Sequence, residues 1–131
     1  IILAAAGLKR LGLLEQDTYE YTFLAPEEFI PAGGQGLMAV GAKAGTAAHS
    51  LAQAMDHAQG RLCLDLERSV LKQLDAGCHE PIGIYSVLQN GQLEVWGISS
   101  PRGEVKRIHL TGGTSRRDIE KLASEAWKGL M

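Results

Sequence analysis

The chain has 131 residues, 45% hydrophobic and 21% charged, the balance of one globular domain with a genuine core and too little length for a second complete one. A formal charge of −2 excludes a global basic field for nucleic acid, so any polyanion would have to be held locally. Two cysteines, Cys63 and Cys78, make neither a disulfide framework nor a Cys-x-x-Cys zinc pair, so no metal is expected and a reducing cytoplasm fits.

The apolar opening, residues 1–8, is too short to cross a membrane and lacks the basic flank and cleavage site of a signal peptide. It reads as a cut through a protein core, with no membrane partner. Residues 1–4 predict a buried strand and 5–13 a short helix closed near Gly12, an α/β unit with most of its sheet absent. In 17–24, Tyr19, Tyr21 and Phe23 alternate against Glu20 and Thr22, which predicts a half-exposed strand or extended segment. Pro26 and Pro31 interrupt the next stretch, 33–36 is loop, and 37–42 predicts a short apolar strand needing neighbours on both faces.

Gly45-Thr46 marks the boundary between an N-terminal part, 1–45, and a C-terminal domain, 46–131. A helix is predicted over 47–58, with Gly60 separating it from a second helix over 61–75. There Cys63, Leu66, Val70 and Leu74 form the core stripe, while Asp65, Arg68 and Lys72 lie opposite. Asp56, Asp65, Glu67 and Asp75 read as surface charges. Strands are predicted over 82–88 and 93–99, joined by a tight turn at Asn90-Gly91, with a third over 105–110 after a turn at 101–103. Ser115 caps the last helix with Asp118 completing a capping box, and Ile119, Leu122, Ala123, Ala126 and Leu130 form its buried stripe. The expected fold is α+β: a three-stranded antiparallel sheet with helices on one face, preceded by an incomplete α/β segment.

Between the amphipathic helix and the first strand runs Leu74-Asp75-Ala76-Gly77-Cys78-His79-Glu80-Pro81-Ile82-Gly83. Gly77 suits the position just past a helix end and Pro81 forbids the helix from restarting, so Cys78 is presented on a loop with His79 as an ordinary loop neighbour. This stretch, with Leu66-Glu67-Arg68-Ser69 before it, resembles the cofactor-attachment region of the porphobilinogen deaminase family, also called hydroxymethylbilane synthases. Two further stretches agree in order. Residues 1–12, with Gly7-Leu8-Lys9-Arg10-Leu11-Gly12, resemble the family's segment entering the substrate cleft, and Pro31-Ala32-Gly33-Gly34-Gln35-Gly36 resembles its Pro-Ala-x-Gly-Gln-Gly crossing. The sequence departs from the usual pattern at Ala76, where glycine is common, at Glu80, where an apolar residue is common, and at Gly33, where valine is common.

The resemblance implies a transferase of porphyrin and haem biosynthesis that joins porphobilinogen units into the linear tetrapyrrole hydroxymethylbilane. It implies that Cys78 anchors a dipyrromethane cofactor through a thioether. A thiolate is the soft nucleophile suited to the electrophile that porphobilinogen becomes on losing ammonia. Each pyrrole carries acetate and propionate groups, for which Arg10 is the implied guanidinium partner. Gln35, Gly36 and the backbone around Ala4 are the implied contacts to the pyrrole chain. The family's enzymes are longer, with the catalytic carboxylate and most cleft arginines ahead of the position of Ile1. The chain is therefore expected to be a C-terminal fragment: residues 1–45 a remnant of the two cleft domains, 46–131 the anchoring domain, no catalytic residue of its own, inactive and without cofactor. The full-length enzyme is implied to be a cytoplasmic monomer, whereas unpaired strands before Thr46 predict a poorly anchored or self-associating segment.

A rival reading is a double-stranded-RNA-binding module, which shares the order helix, three strands, helix and grips phosphates near the start of the last helix, where Arg116, Arg117 and Lys121 stand. The net negative charge and the lack of a lysine cluster weigh against it, so no nucleic-acid partner is expected. An inert interaction module is a third reading.

Overall fold

The computed structural model describes residues 1–16, 18–74, 81–100 and 103–131. The elements are α1 (Ala5–Arg10), a 3-10 turn (Leu13–Glu15), α2 (Ala47–Ala54), α3 (Ala58–Gln73), β1 (Ile82–Gln89), β2 (Gln92–Ser99), β3 (Lys106–Gly112) and α4 (Arg116–Leu130). The strands form one antiparallel meander in the order β1-β2-β3. Asn90 and Gly91 turn the first hairpin with φ of 51° and 76°, the two positive values that match the twist of the strands, and Gln89 pairs with Gln92 across it.

Register sorts the side chains by face. Ile84, Gly97 and Ile108 are aligned across the sheet, as are Ser86, Val95 and Leu110, and this face is covered by α3 against β1 and by α4 against β3 and β2. Ile84, Leu93 and Val95 of this face, with Leu66 and Val70 of α3 and Ile119, Leu122, Ala123, Ala126 and Leu130 of α4, form the core, and Ile108 and Leu110 pack against it. The α+β architecture with helices on one face is therefore as expected. On the opposite face Tyr85, Trp96 and His109 form an aromatic row, the last two rings stacked with centroids 4.5 Å apart, and His109 Nε2 lies 3.2 Å from Glu94 Oε2.

α4 starts as predicted. Ser115 Oγ accepts from the Asp118 amide at 3.2 Å, and Asp118 Oδ2 accepts from the Ser115 amide at 3.2 Å. The break between α2 and α3 is not at Gly60, which lies inside α3. α2 ends at Ala54, and His57 caps α3 by accepting the Gly60 amide on Nδ1 at 3.0 Å, which satisfies one of the donors that a helix start leaves open.

Two predicted strands do not form. Residues 1–4 and 37–42 have no ladder partner among the described residues, and Ile1, Ile2, Leu3, Met38 and Val40 are exposed. Their apolar character is real, but a strand needs a neighbour to satisfy its backbone, and the described sheet ends at β1 on one side and β3 on the other. Residues 18–24 are irregular, with the Tyr21 hydroxyl donating to the Leu13 carbonyl at 3.0 Å. α1 closes as expected near Gly12, whose φ is 67°, and packs on the 3-10 turn that follows it. The turn at 101–103 lies largely outside the described residues.

Candidate cofactor-anchoring site

Cys78, with Asp75, Ala76, Gly77, His79 and Glu80, lies outside the described residues. Its flanks are well placed. α3 ends at Gln73, with Leu74 half-buried and its amide donating to the Val70 carbonyl at 3.1 Å, and β1 begins at Ile82, paired with Ser99 of β2. In the chain Cys78 thus stands between the main core helix and the first strand.

The crossing segment is the second part of the site. Gln35 donates its amide to the Ala32 carbonyl at 3.2 Å and Leu37 donates to the Gly34 carbonyl at 3.1 Å, two successive tight turns with φ of 77° at Gly34 and 82° at Gly36. Gln35 and Gly36 are exposed. The segment lies against the open edge of β1: the Ile84 amide donates to the Pro31 carbonyl at 2.8 Å, and the Gly34 amide donates to Glu67 Oε2 at 2.7 Å.

That last contact corrects the reading of Glu67 as a surface charge. Glu67 is 5% exposed, and its Oε1 accepts both the Ser86 amide at 2.8 Å and the Ser86 hydroxyl at 2.9 Å. The same hydroxyl lies 3.1 Å from the Cys63 carbonyl. A signal was present in the sequence: position 67 is four residues after Cys63 and three before Val70, inside the apolar arc of the helix. By contrast Asp56 and Asp65 are exposed as expected, and Asp56 pairs with Arg61.

Cys63 is half-buried on the core side of α3, as its place in the stripe predicts. Burial pushes its thiol above the usual range, only partly opposed by a hydrogen bond from Ser86 and reinforced by the nearby Glu67 charge. Cys63 is thus a packing residue whose raised thiol disfavours the nucleophilic thiolate.

Arg10 ends α1 and is exposed; Ala4 is the N-cap residue of α1, its carbonyl accepting from the Gly7 amide at 3.0 Å and the Leu8 amide at 3.3 Å. Among the described residues no hydrogen bond or ion pair joins Arg10 or Ala4 to Gln35 or Gly36. At the start of α4, Arg116 pairs with Glu120 at 3.1 Å and Lys121 lies 3.9 Å from Glu125, so two of the three cations named for RNA binding face carboxylates. No helix of the described residues is long and apolar enough to cross a membrane.

In chemical kind the donor set suits a dipyrromethane: a thiol for a thioether, with an exposed guanidinium, an exposed carboxamide and a loop amide able to donate to carboxylates. Comparison with known proteins bears on the same stretches. Residues 1–50 match the family described as porphobilinogen deaminase, dipyromethane cofactor binding domain, and residues 61–127 match porphobilinogen deaminase, C-terminal domain. The chain is 41% identical over 112 residues to the porphobilinogen deaminase of Clostridium acetobutylicum, covering 86% of this chain and 38% of that protein. It is 42% identical over 107 residues to the one from Chromobacterium violaceum, covering 80% and 34%, and 41% identical over 99 residues to one from Coxiella burnetii, covering 73% and 31%. The chain thus spans well under half the length of these relatives, yet two family matches in order account for most of its residues, and it belongs to the porphobilinogen deaminase family.

Proposed function

We propose that this chain is the cofactor-anchoring portion of a cytoplasmic transferase that joins porphobilinogen into hydroxymethylbilane, with Cys78 carrying a dipyrromethane through its sulfur. The observation that supports it most is the ordered pair of family matches, 1–50 and 61–127, the second of which spans the α3-to-β1 connection in which Cys78 stands. When bound, the dipyrromethane supplies the primer to which further pyrroles are joined. This chain's part is to hold it: the Cys78 sulfur as covalent anchor, the Arg10 guanidinium, Gln35 carboxamide and Gly36 amide as donors to acetate and propionate oxygens, and Ala4 as a backbone contact. Residues 46–131 form the anchoring domain in this reading. Among the described residues every core residue falls between Leu66 and Leu130, which favours it. Residues 1–45 belong to the two cleft domains and, with Ile1, Ile2, Met38 and Val40 exposed, associate with other chains when those domains are not supplied.

The general acid and most of the cationic cleft are not assigned to any residue here. Proton transfer and charge stabilisation each contribute orders of magnitude in rate, so the chain alone is expected to keep Cys78 as a thiol and to consume no porphobilinogen. The test joins this chain to the N-terminal part of the Clostridium acetobutylicum relative and weighs the Cys78-containing peptide, with an aldehyde colour reaction for pyrroles. A pyrrole adduct in the joined protein, lost in Cys78→Ser, is expected. An active joined protein with an unmodified Cys78 would end the anchor assignment.

A further inference from the structure

We propose that Glu67 is a positioning residue: its buried carboxylate fastens the crossing segment to the anchoring domain and so fixes where Gln35 and Gly36 stand relative to the end of α3 and the start of β1. A carboxylate taken out of water is costly unless its oxygens are fully hydrogen-bonded, and among the described residues no cation pairs with Glu67. Its charge is met by three donors. Two belong to Ser86 and reach Oε1, and the third is the Gly34 amide on Oε2. One of the two oxygens therefore serves the sheet and the other serves a segment more than thirty positions earlier in the chain.

The geometry of the β1 edge makes this more than a local bond. Among the described residues β1 pairs only with β2, so the amides on its other side, at Ile84 and Ser86, have no strand neighbour there. The Pro31 carbonyl takes the first and Glu67 takes the second. The crossing segment is thus held at both ends of a short span, by Pro31 and by Gly34, with Glu67 as the side-chain tie at one of them. The backbones approach closely enough that a Cβ at Gly33 would lie 2.7 Å from Ile84 Cγ2 and 2.8 Å from Leu71 Cδ1, and one at Gly83 would lie 2.6 Å from the Ile30 carbonyl oxygen.

Only a carboxylate fits this role. A glutamine at 67 offers one acceptor oxygen and one donor nitrogen, so whichever way it turns, either the Gly34 amide or the Ser86 pair faces another donor. An aspartate is one carbon shorter and cannot span both. The consequence for pyrrole binding rests on the proposed roles of Gln35 and Gly36; the tie itself does not.

Amide hydrogen exchange of the whole chain, read without substrate, tests it. In the parent chain the Gly34 and Ser86 amides are expected to be protected, while those of Met38 and Val40 exchange freely. Glu67→Gln is expected to speed exchange of the Gly34 amide by about tenfold or more, the loss of one charge-assisted bond, while β2, β3 and α4 keep their protection. Ser86→Ala, which removes one donor from Oε1 and leaves the Gly34 bond, is expected to leave the Gly34 amide protected. A merely structural role for Glu67 predicts otherwise, with exchange rising equally through sheet and helices. That result would overturn the proposal, as would a Gly34 amide that is unprotected in the parent chain, or Ser86→Ala exposing the Gly34 amide as far as Glu67→Gln. The parent measurement decides even if Glu67→Gln does not fold. Failure here appears in Gly34 exchange, whereas failure of the anchor reading appears in the mass of the Cys78 peptide.

Discussion

Ser99→Ala offers the cleanest test of how α4 is seated on the sheet. Ser99 ends β2 with its hydroxyl turned toward the last turn of α4, where it donates to the Leu130 carbonyl at 2.6 Å. The final carbonyls of a helix have no partner within it, and this one is shut away from water, since Leu130 is 1% exposed and Ser99 is 3% exposed. Removing the hydroxyl therefore strands a buried acceptor instead of handing it to solvent, at a cost of about 1–3 kcal/mol. For a domain of roughly this size each kcal/mol is worth about 4–8 °C in Tm, so a fall of about 5–20 °C is expected. Urea denaturation followed by circular dichroism gives the free energy directly, and Ser99→Thr, which keeps the hydroxyl, should lie closer to the parent. If Ser99→Ala matched the parent within about 0.3 kcal/mol, the Leu130 carbonyl would have another partner and the described seating of α4 would be wrong.

Leu66→Ala should destabilise the chain by about 2–5 kcal/mol in the same assay, while Lys72→Ala on the exposed side of α3 should change little; the reverse order would refute the helix phase. The hydrogen bonds from Ser115 hold the Asp118 carboxyl below the usual aspartate range, so the stability it contributes is present above that range and is lost as pH falls through the lowered value. The gap between parent and Asp118→Asn, measured by denaturation from neutral to acid pH, should therefore close at the acid end, and a gap that widens there would contradict the sign. Because burial raises the Cys63 thiol, a disulfide reagent at mildly alkaline pH should modify Cys63 slowly in the native chain and rapidly once urea unfolds it, checked by peptide mass; rapid native modification would mean an open α3. Gly33→Val should cost about 1–3 kcal/mol through crowding against Ile84 and Leu71, and a neutral result would mean that these two side chains give way or that the crossing segment does not lie on β1.

The parts legible in the sequence were those decided by near neighbours. Asn90-Gly91 sets the first hairpin through its own positive φ values, and Ser115 with Asp118 places the start of α4 within one turn. The misread parts were decided at long range or by an unusual donor. Gly60 looked like a break, but His57 supplies a side-chain cap three residues earlier and the helix runs through the glycine. Residues 1–4 and 37–42 carry strand-like composition, yet pairing depends on neighbours that the sequence pattern cannot specify. Of the candidate site residues, Gln35 and Gly36 stand on the segment that lies against β1, whereas Arg10 and Ala4 stand on α1, which packs on its own following turn.

Glu67 shows why a residue's class is a weaker guide than its position. A leucine there would have extended the apolar stripe of α3, but it would also have faced the Ser86 amide on a strand edge with no neighbour, leaving a buried donor unmet. A carboxylate meets that donor and has an oxygen left over, and the Gly34 amide takes it. This second bond depends in turn on close approach, since Gly33 sits where a Cβ would meet Ile84 and Leu71 inside 3 Å. The glycine at 33 and the charge within the core stripe are therefore parts of one seam. Adding a side chain at 33 pushes the segment off β1 and stretches the Gly34 bond, unless Ile84 and Leu71 give way. Neutralising 67 leaves the approach intact but removes its tie. The two changes should act on the same amide by different routes, which places the control of the crossing segment on α3 and β1.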